Sequence, residues 1–185
     1  QLENTLVIYT SDHGEMLGDH GIYLKGPFFY EPAIHVPLII AGPGAVEAQT
    51  SPALVELTDL PQTILDAAGL AHHAGMQGRS LWPLLTGGAD ADHHRDDVYA
   101  EYYNAMPWHR NPTAQMTMVR TAAHKLVMDH AHDVGELYDL MEDPAEIHNR
   151  WNDPDYADVQ MAMLQRLCNR MAWTVDPLPP RRAPW

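Results

Sequence analysis

The sequence predicts an α/β fold that is completed by a small antiparallel sheet with a helix packed on it. Three observations lead there. Two short, continuously apolar runs, at residues 6–10 (LVIYT) and 36–41 (VPLIIA), precede a helical pattern, which is the texture of strands buried in a sheet with helices on it. After the Gly- and Asp-rich residues 86–90 the chain changes to short strands with short connections, an antiparallel spacing rather than a strand–helix–strand one. An amphipathic stretch near the C-terminus then supplies the last helix. The division falls near residue 95, with 1–95 as the end of an α/β domain and 96–185 as a small α+β subdomain.

Taken in order, residues 6–10 are expected as a strand buried on both faces of a parallel sheet. They run into Ser11-Asp12-His13-Gly14, so polar side chains sit at the carboxyl end of the strand, the end where open α/β sheets bind ligands. Residues 36–41 form a second buried strand, closed by Gly42-Pro43-Gly44. Leu57, Leu60, Ile64, Leu65 and Ala68 share one helical face, with Pro61 in the first turn and Gly69 just past the end. That order suggests a doubly wound α/β layer. Residues 98–103, 116–121, 125–128 and 136–140 read as strands of the second part. Tyr156, Val159, Met163, Leu167 and Met171 mark a helix opened by Asp153-Pro154, and the Pro-rich residues 177–185 should be extended.

Composition limits the partners. The 185 residues carry 25 acidic against 11 basic side chains, a formal charge of -14, which argues against nucleic acid or an anionic membrane surface. An anionic substrate would need a locally positive site. The single cysteine, Cys168, excludes an intrachain disulfide and a Cys-cluster metal site. No apolar run reaches membrane-spanning length. The chain opens on Gln1 and runs almost directly into a strand, so an N-terminal part outside this sequence is expected; the compartment stays open between cytoplasm and periplasm, and a homo-oligomer is open too.

The chemistry concentrates in SDHGEMLGDHG, residues 11–21, where Asp-His-Gly occurs twice. A strand ending in a turn can converge two successive side chains, and a carboxylate beside an imidazole suits a divalent cation, with Gly14 leaving room for the turn. Asp-His-Gly alone is short, and a polar strand cap would use the same letters. Lys25 adds weight through its setting, Tyr23-Leu24-Lys25-Gly26-Pro27-Phe28-Phe29-Tyr30-Glu31. Aromatic and Gly/Pro residues build a pocket rim, where an ammonium is a point charge for a phosphate- or sulfate-like oxygen.

Together, Thr10-Ser11-Asp12-His13-Gly14, Gly18-Asp19-His20-Gly21, Lys25-Gly26-Pro27-Phe28-Phe29-Tyr30-Glu31 and Val36-Pro37-Leu38-Ile39-Ile40 resemble the sulfatase family of the alkaline-phosphatase-like superfamily. Gly78-Arg79-Ser80-Leu81 with Pro83-Leu84-Leu85, and Glu136-Leu137-Tyr138-Asp139-Leu140 with Glu142-Asp143-Pro144, look like its later landmarks. The resemblance implies the C-terminal portion of an arylsulfatase or phosphonate monoester hydrolase type of enzyme. It further implies an alkaline-phosphatase-like sandwich, of which this chain forms the end of the large mixed sheet with its helices, plus the small antiparallel sheet. It makes Asp12 and His13 ligands of one divalent cation (Ca²⁺, Mn²⁺ or Mg²⁺) and Lys25 the contact to the sulfate or its leaving oxygen. The implied substrate is a small-molecule sulfate or phosphonate ester, cleaved by hydrolysis.

Two departures qualify it. Asp-His stands where many calcium sulfatases carry Asp-Asn; a nitrogen ligand shifts preference towards Mn²⁺ and keeps phosphonate or phosphodiester hydrolysis open as the alternative. The family's nucleophile is a formylglycine made in a Cys/Ser-x-Pro-x-Arg motif, and neither that motif nor the family's early aspartate ligands occur in these residues. The chain alone is therefore expected to be inactive, and a non-catalytic module is the reading from another class.

Other polar residues carry blander expectations. His20, in the second Asp-His-Gly, should support the loop presenting Lys25. Glu101 and His109, with Tyr102, Tyr103 and Trp108, lie at and beyond a strand end and are candidates for substrate contact or for packing. His130 and His132 belong to a polar hairpin connection, and residues 92–97 (DHHRDD) to a solvated linker.

Overall fold

The computed structural model describes residues 2–45, 49–104 and 114–175. Strands β1 (Val7–Thr10) and β2 (Leu38–Ala41) form a two-stranded sheet. They pair antiparallel, Val7 opposite Ala41 and Thr10 opposite Leu38, where a parallel arrangement was expected. The reason lies in the connection: between the strands stand a loop and the single turn α1 (Glu31–Ile34), not the crossover helix that a parallel pair requires. Nor is β1 buried on both faces, since Val7 is 47% and Tyr9 61% exposed. Apolar, β-branched content specifies a strand but not which layer covers it.

Helix α2 (Asp59–Ala67) turns the opposite way from its apolar stripe. Its buried residues are Asp59, Gln62 and Thr63, whereas Ile64 is half exposed. Polar partners account for this. The Asp59 carboxylate accepts from the backbone N–H groups of Glu56 and Arg79 and from the Arg95 guanidinium. Thr63 accepts from the Leu81 N–H at 2.8 Å, and the Gln62 amide donates to the Gly78 carbonyl at 3.1 Å. A Cβ on Gly78 would lie 1.9 Å from the Thr58 carbonyl oxygen, so only glycine permits this approach. The chain then makes the turn α3 (Trp82–Leu85).

The second sheet is an antiparallel meander of β3 (Val98–Tyr103), β4 (Gln115–Arg120), β5 (His124–Asp129) and β6 (Val134–Asp139), in that order. Asp153 opens the following turn by accepting from the Asp155 N–H at 3.1 Å, and α4 (Ala157–Trp173) packs back on the sheet. Met163 and Leu167, one helical turn apart, meet Val119, Leu126 and Leu137, with Tyr156, Val159 and Met171 against the same cluster. Each such buried side chain contributes roughly 1.5–3 kcal/mol.

The other face of this sheet is covered too. Met118 and Val127 enclose Phe29, and on the same face stand Arg120, Lys125, Glu136 and Tyr138 by strand alternation and register. The loop that carries the candidate site therefore lies on the meander.

Candidate functional site

β1 delivers Asp12 and His13 into a loop stitched to α1. Gly14 N–H donates to the Ala33 carbonyl at 2.8 Å, and Glu15 N–H to that of Pro32 at 3.1 Å. A Cβ on Gly14 would come within 1.9 Å of the Pro32 oxygen. The glycine of the first Asp-His-Gly is thus required by a close backbone approach.

His13 is oriented by its own loop. Its Nδ1 lies 2.8 Å from the Gly14 carbonyl oxygen, which can only accept, so in the neutral ring Nδ1 carries the proton and Nε2 presents its lone pair. The ammonium of Lys25 meets that nitrogen at 2.6 Å, and an Asp12 carboxylate oxygen stands 3.6 Å from it. The structure thus brings Asp12, His13 and Lys25 to one point. A hydrogen bond from its own backbone N–H is the largest cause that holds the Asp12 carboxyl below its usual range.

In donor chemistry, one carboxylate oxygen and one tautomer-fixed nitrogen that face a common place suit a divalent cation; the Lys25 ammonium lies on that nitrogen here, so a bound cation would take its place beside the imidazole. Among the described residues no group of three or more His, Cys, Asp or Glu gathers to hold a metal. Asp12 and His13 would supply only part of a coordination shell. Asp12, His13 and Lys25 border a cleft of about 1560 Å³ that Phe28, Phe29 and Tyr102 also line.

Of the remaining candidates, Glu101 and Tyr102 line the same cleft, and the others fall elsewhere. His20, in a kinked 3-10 turn (Asp19–Gly21), stacks on Tyr30 with ring centroids 3.8 Å apart and 14° between planes. It braces the loop between Lys25 and α1. Glu101 accepts from the Tyr99 hydroxyl at 2.8 Å, on the β3 face opposite Ala100 and Tyr102. His109 and Trp108 lie outside the described residues. His130 contacts the Thr117 hydroxyl at 2.8 Å and His132 the Asp129 carboxylate at 2.7 Å, as hairpin residues. Residues 92–97 depart from the solvated linker expected, because the side chains of His94 and Arg95 are 6% and 4% exposed. Arg95 pairs there with Asp59 and Glu56, which draws the segment inward.

One group of residues escaped the reading of the sequence. The Lys125 ammonium, fully buried, reaches Glu31 at 2.7 Å, Glu146 at 2.6 Å and the Phe29 carbonyl at 2.9 Å. Glu146 accepts from the Glu31 N–H at 2.7 Å, and Arg120 donates to Glu31 at 2.9 Å. Burial alone would raise the Glu31 carboxyl, but Lys125 and Arg120 outweigh it and hold it low. The available signal was Glu31 closing the Lys25 motif, a carboxylate in an otherwise aromatic segment.

The family model for the C-terminal region of N-sulphoglucosamine sulphohydrolase matches residues 18–172. The chain belongs to that family. The N-acetylglucosamine-6-O-sulfatase of Bacteroides thetaiotaomicron is 37% identical to this sulfatase C-terminal domain over 171 residues, 90% of this chain and 30% of that protein. A protein solved in complex with its substrate, D-glucosamine-2-N,6-O-disulfate, superposes with a TM-score of 0.83 at 32% identity, over 94% of this chain and 35% of that one. The phosphonate monoester hydrolase of Silicibacter pomeroyi gives a TM-score of 0.83 at 31% identity, over 94% of this chain and 36% of that one. The chain spans about a third of the length of these proteins. Its fold is that of the sulfatases, mixed α/β with the small antiparallel sheet and C-terminal helix expected.

Proposed function

We propose that this chain supplies the C-terminal part of a metal-dependent sulfuric ester hydrolase acting on a small-molecule sulfate ester, with residues 1–95 finishing the catalytic α/β domain. Asp12 and His13 hold one divalent cation and Lys25 binds the sulfate. The observation that carries this reading is the contact between Lys25 and the lone-pair nitrogen of His13, at 2.6 Å. When bound, the cation supplies Lewis-acid polarisation of the ester. Lys25 contributes a mobile point charge for a sulfate oxygen or the departing alkoxide. The bond to the Gly14 carbonyl fixes the tautomer of the neutral His13 ring and directs its Nε2 at the cleft. Asp12, held ionised, adds negative charge for the cation.

The nucleophile, a formylglycine on this reading, comes from residues outside these 185. The length of the curated relative, of which this chain covers 30%, supports that division. A sulfated amino sugar is the substrate class favoured by the relatives, one named as an N-acetylglucosamine-6-O-sulfatase and one solved with a glucosamine disulfate.

The likeness to a phosphonate monoester hydrolase supports a second reading, in which the same residues serve phosphonate or phosphodiester cleavage. Comparing kcat/KM of the full-length enzyme for an aryl sulfate and an aryl phosphonate monoester decides between them. Higher kcat/KM for the sulfate is expected; higher kcat/KM for the phosphonate would replace the first reading by the second.

A further inference from the structure

Lys125 is the largest fully buried side chain among the described residues. A lysine is seldom so buried unless paired. Its ammonium donates to the Phe29 carbonyl and forms ion pairs with Glu31 and Glu146, and each partner lies on or against the loop that follows Lys25; Glu146 itself accepts from the Glu31 N–H. Glu146 adopts a left-handed backbone, φ 58°, an unfavourable conformation for a non-glycine residue that its burial and its bond to Glu31 N–H hold in place.

The consequences run to the candidate site along two short routes. Phe29 is four residues from Lys25. Glu31 begins α1, and α1 receives the N–H groups of Gly14 and Glu15, the residues immediately after His13. One buried cation on β5 therefore fixes the backbone that orients both partners of the Lys25–His13 contact. The hydrophobic clusters on this sheet would form without it; a single apolar residue in place of Lys125 would leave Glu146 buried without its charge partner.

We propose that Lys125, paired with Glu146, is a positioning residue for the candidate site, holding Lys25 and His13 in register from the C-terminal sheet. This rests on the role given to Lys25 above. Small displacements of catalytic groups are costly in rate, and residues that orient such groups commonly account for about 10–100-fold.

The test is a double-mutant cycle in the full-length enzyme carrying this chain, with an aryl sulfate as substrate and active sites counted so that misfolded protein does not enter kcat. The charge-balanced variant Lys125→Met/Glu146→Gln leaves the Glu31–Arg120 pair in place. It is expected to lower kcat about 10–100-fold with KM changed less than about 3-fold. Added to Lys25→Ala, the same two substitutions are expected to cost clearly less than on the wild-type background, because one of the two groups they position is gone. An equal loss on both backgrounds, or an unchanged kcat per active site, overturns the inference. Should the variant fail to fold, Glu146→Gln alone carries the same comparison. If Lys25→Ala itself leaves kcat unchanged, the Lys25 role fails first and the positioning role falls with it, an outcome distinct from full additivity.

Discussion

Lys25 Nζ and His13 Nε2 stand 2.6 Å apart although they are twelve positions apart in the chain. The intervening loop is what makes the distance short. It leaves β1, turns through left-handed residues at Leu17, Gly18, His20 and Gly21, and returns along the meander sheet, where Tyr30 stacks on His20. The two copies of Asp-His-Gly therefore do different things: the first presents donors to the cleft, and the second bends and braces the loop that brings Lys25 back to it.

The close approach at Gly14 is open to direct test. Gly14→Ala puts a methyl group 1.9 Å from the Pro32 oxygen and must part the loop from α1. A stability loss of about 1–3 kcal/mol is expected, as for other overpacked sites, together with weaker Mn²⁺ binding by titration calorimetry. An unchanged unfolding midpoint with unchanged metal affinity would show that the stitched loop has no such role.

The inverted face of α2 predicts an inverted mutational order. Asp59→Ala strands the buried Arg95 guanidinium beside Glu56 alone and should cost about 3–5 kcal/mol. Ile64→Ala, on the half-exposed apolar side, should cost less than about 1 kcal/mol. Chemical denaturation of the two variants reads this directly, and the reverse order would restore the apolar stripe as the packed face.

Acid sensitivity should include a contribution from His94. Burial lowers the basicity of its imidazole, and Arg95 and Arg79 add to the effect against the opposing pull of Asp59. The folded-state pKa therefore lies below the unfolded value of about 6.5. Stability from the neutral ring is complete above that value and is lost as pH falls from it through the folded-state pKa. Thermal melts of wild type and His94→Gln between about pH 7 and about pH 5 should show the wild-type advantage shrinking with acid. A constant difference would mean that the imidazole titrates alike in both states.

How far the sequence discloses this molecule follows from what each pattern encodes. Strand β3 was legible to its end residues because alternation and turn residues are local signals, and α4 because Tyr156, Val159, Met163, Leu167 and Met171 share one face that the sheet then covers. Asp12, His13 and Lys25 were legible as a set through motif order, though only the folded loop shows the tautomer-fixing bond to Gly14. The pairing direction of β1 and β2 was not, since an apolar run does not encode its neighbour's direction. Nor was the inward turn of Asp59, Gln62, Thr63, His94 and Arg95: their burial depends on partners 15 to 36 residues away. Lys125 is the extreme case, a charge whose partners Glu31 and Glu146 lie on other segments and whose strand reads as ordinary without them.

The central claim, that Lys25 acts on the transferring sulfate beside the Asp12–His13 pair, is tested most directly by kcat for an aryl sulfate in the full-length enzyme, wild type against Lys25→Ala, at saturating divalent cation. Loss of about 100–1000-fold in kcat is expected for removing one charge-stabilising group of this kind; an unchanged kcat would contradict the account.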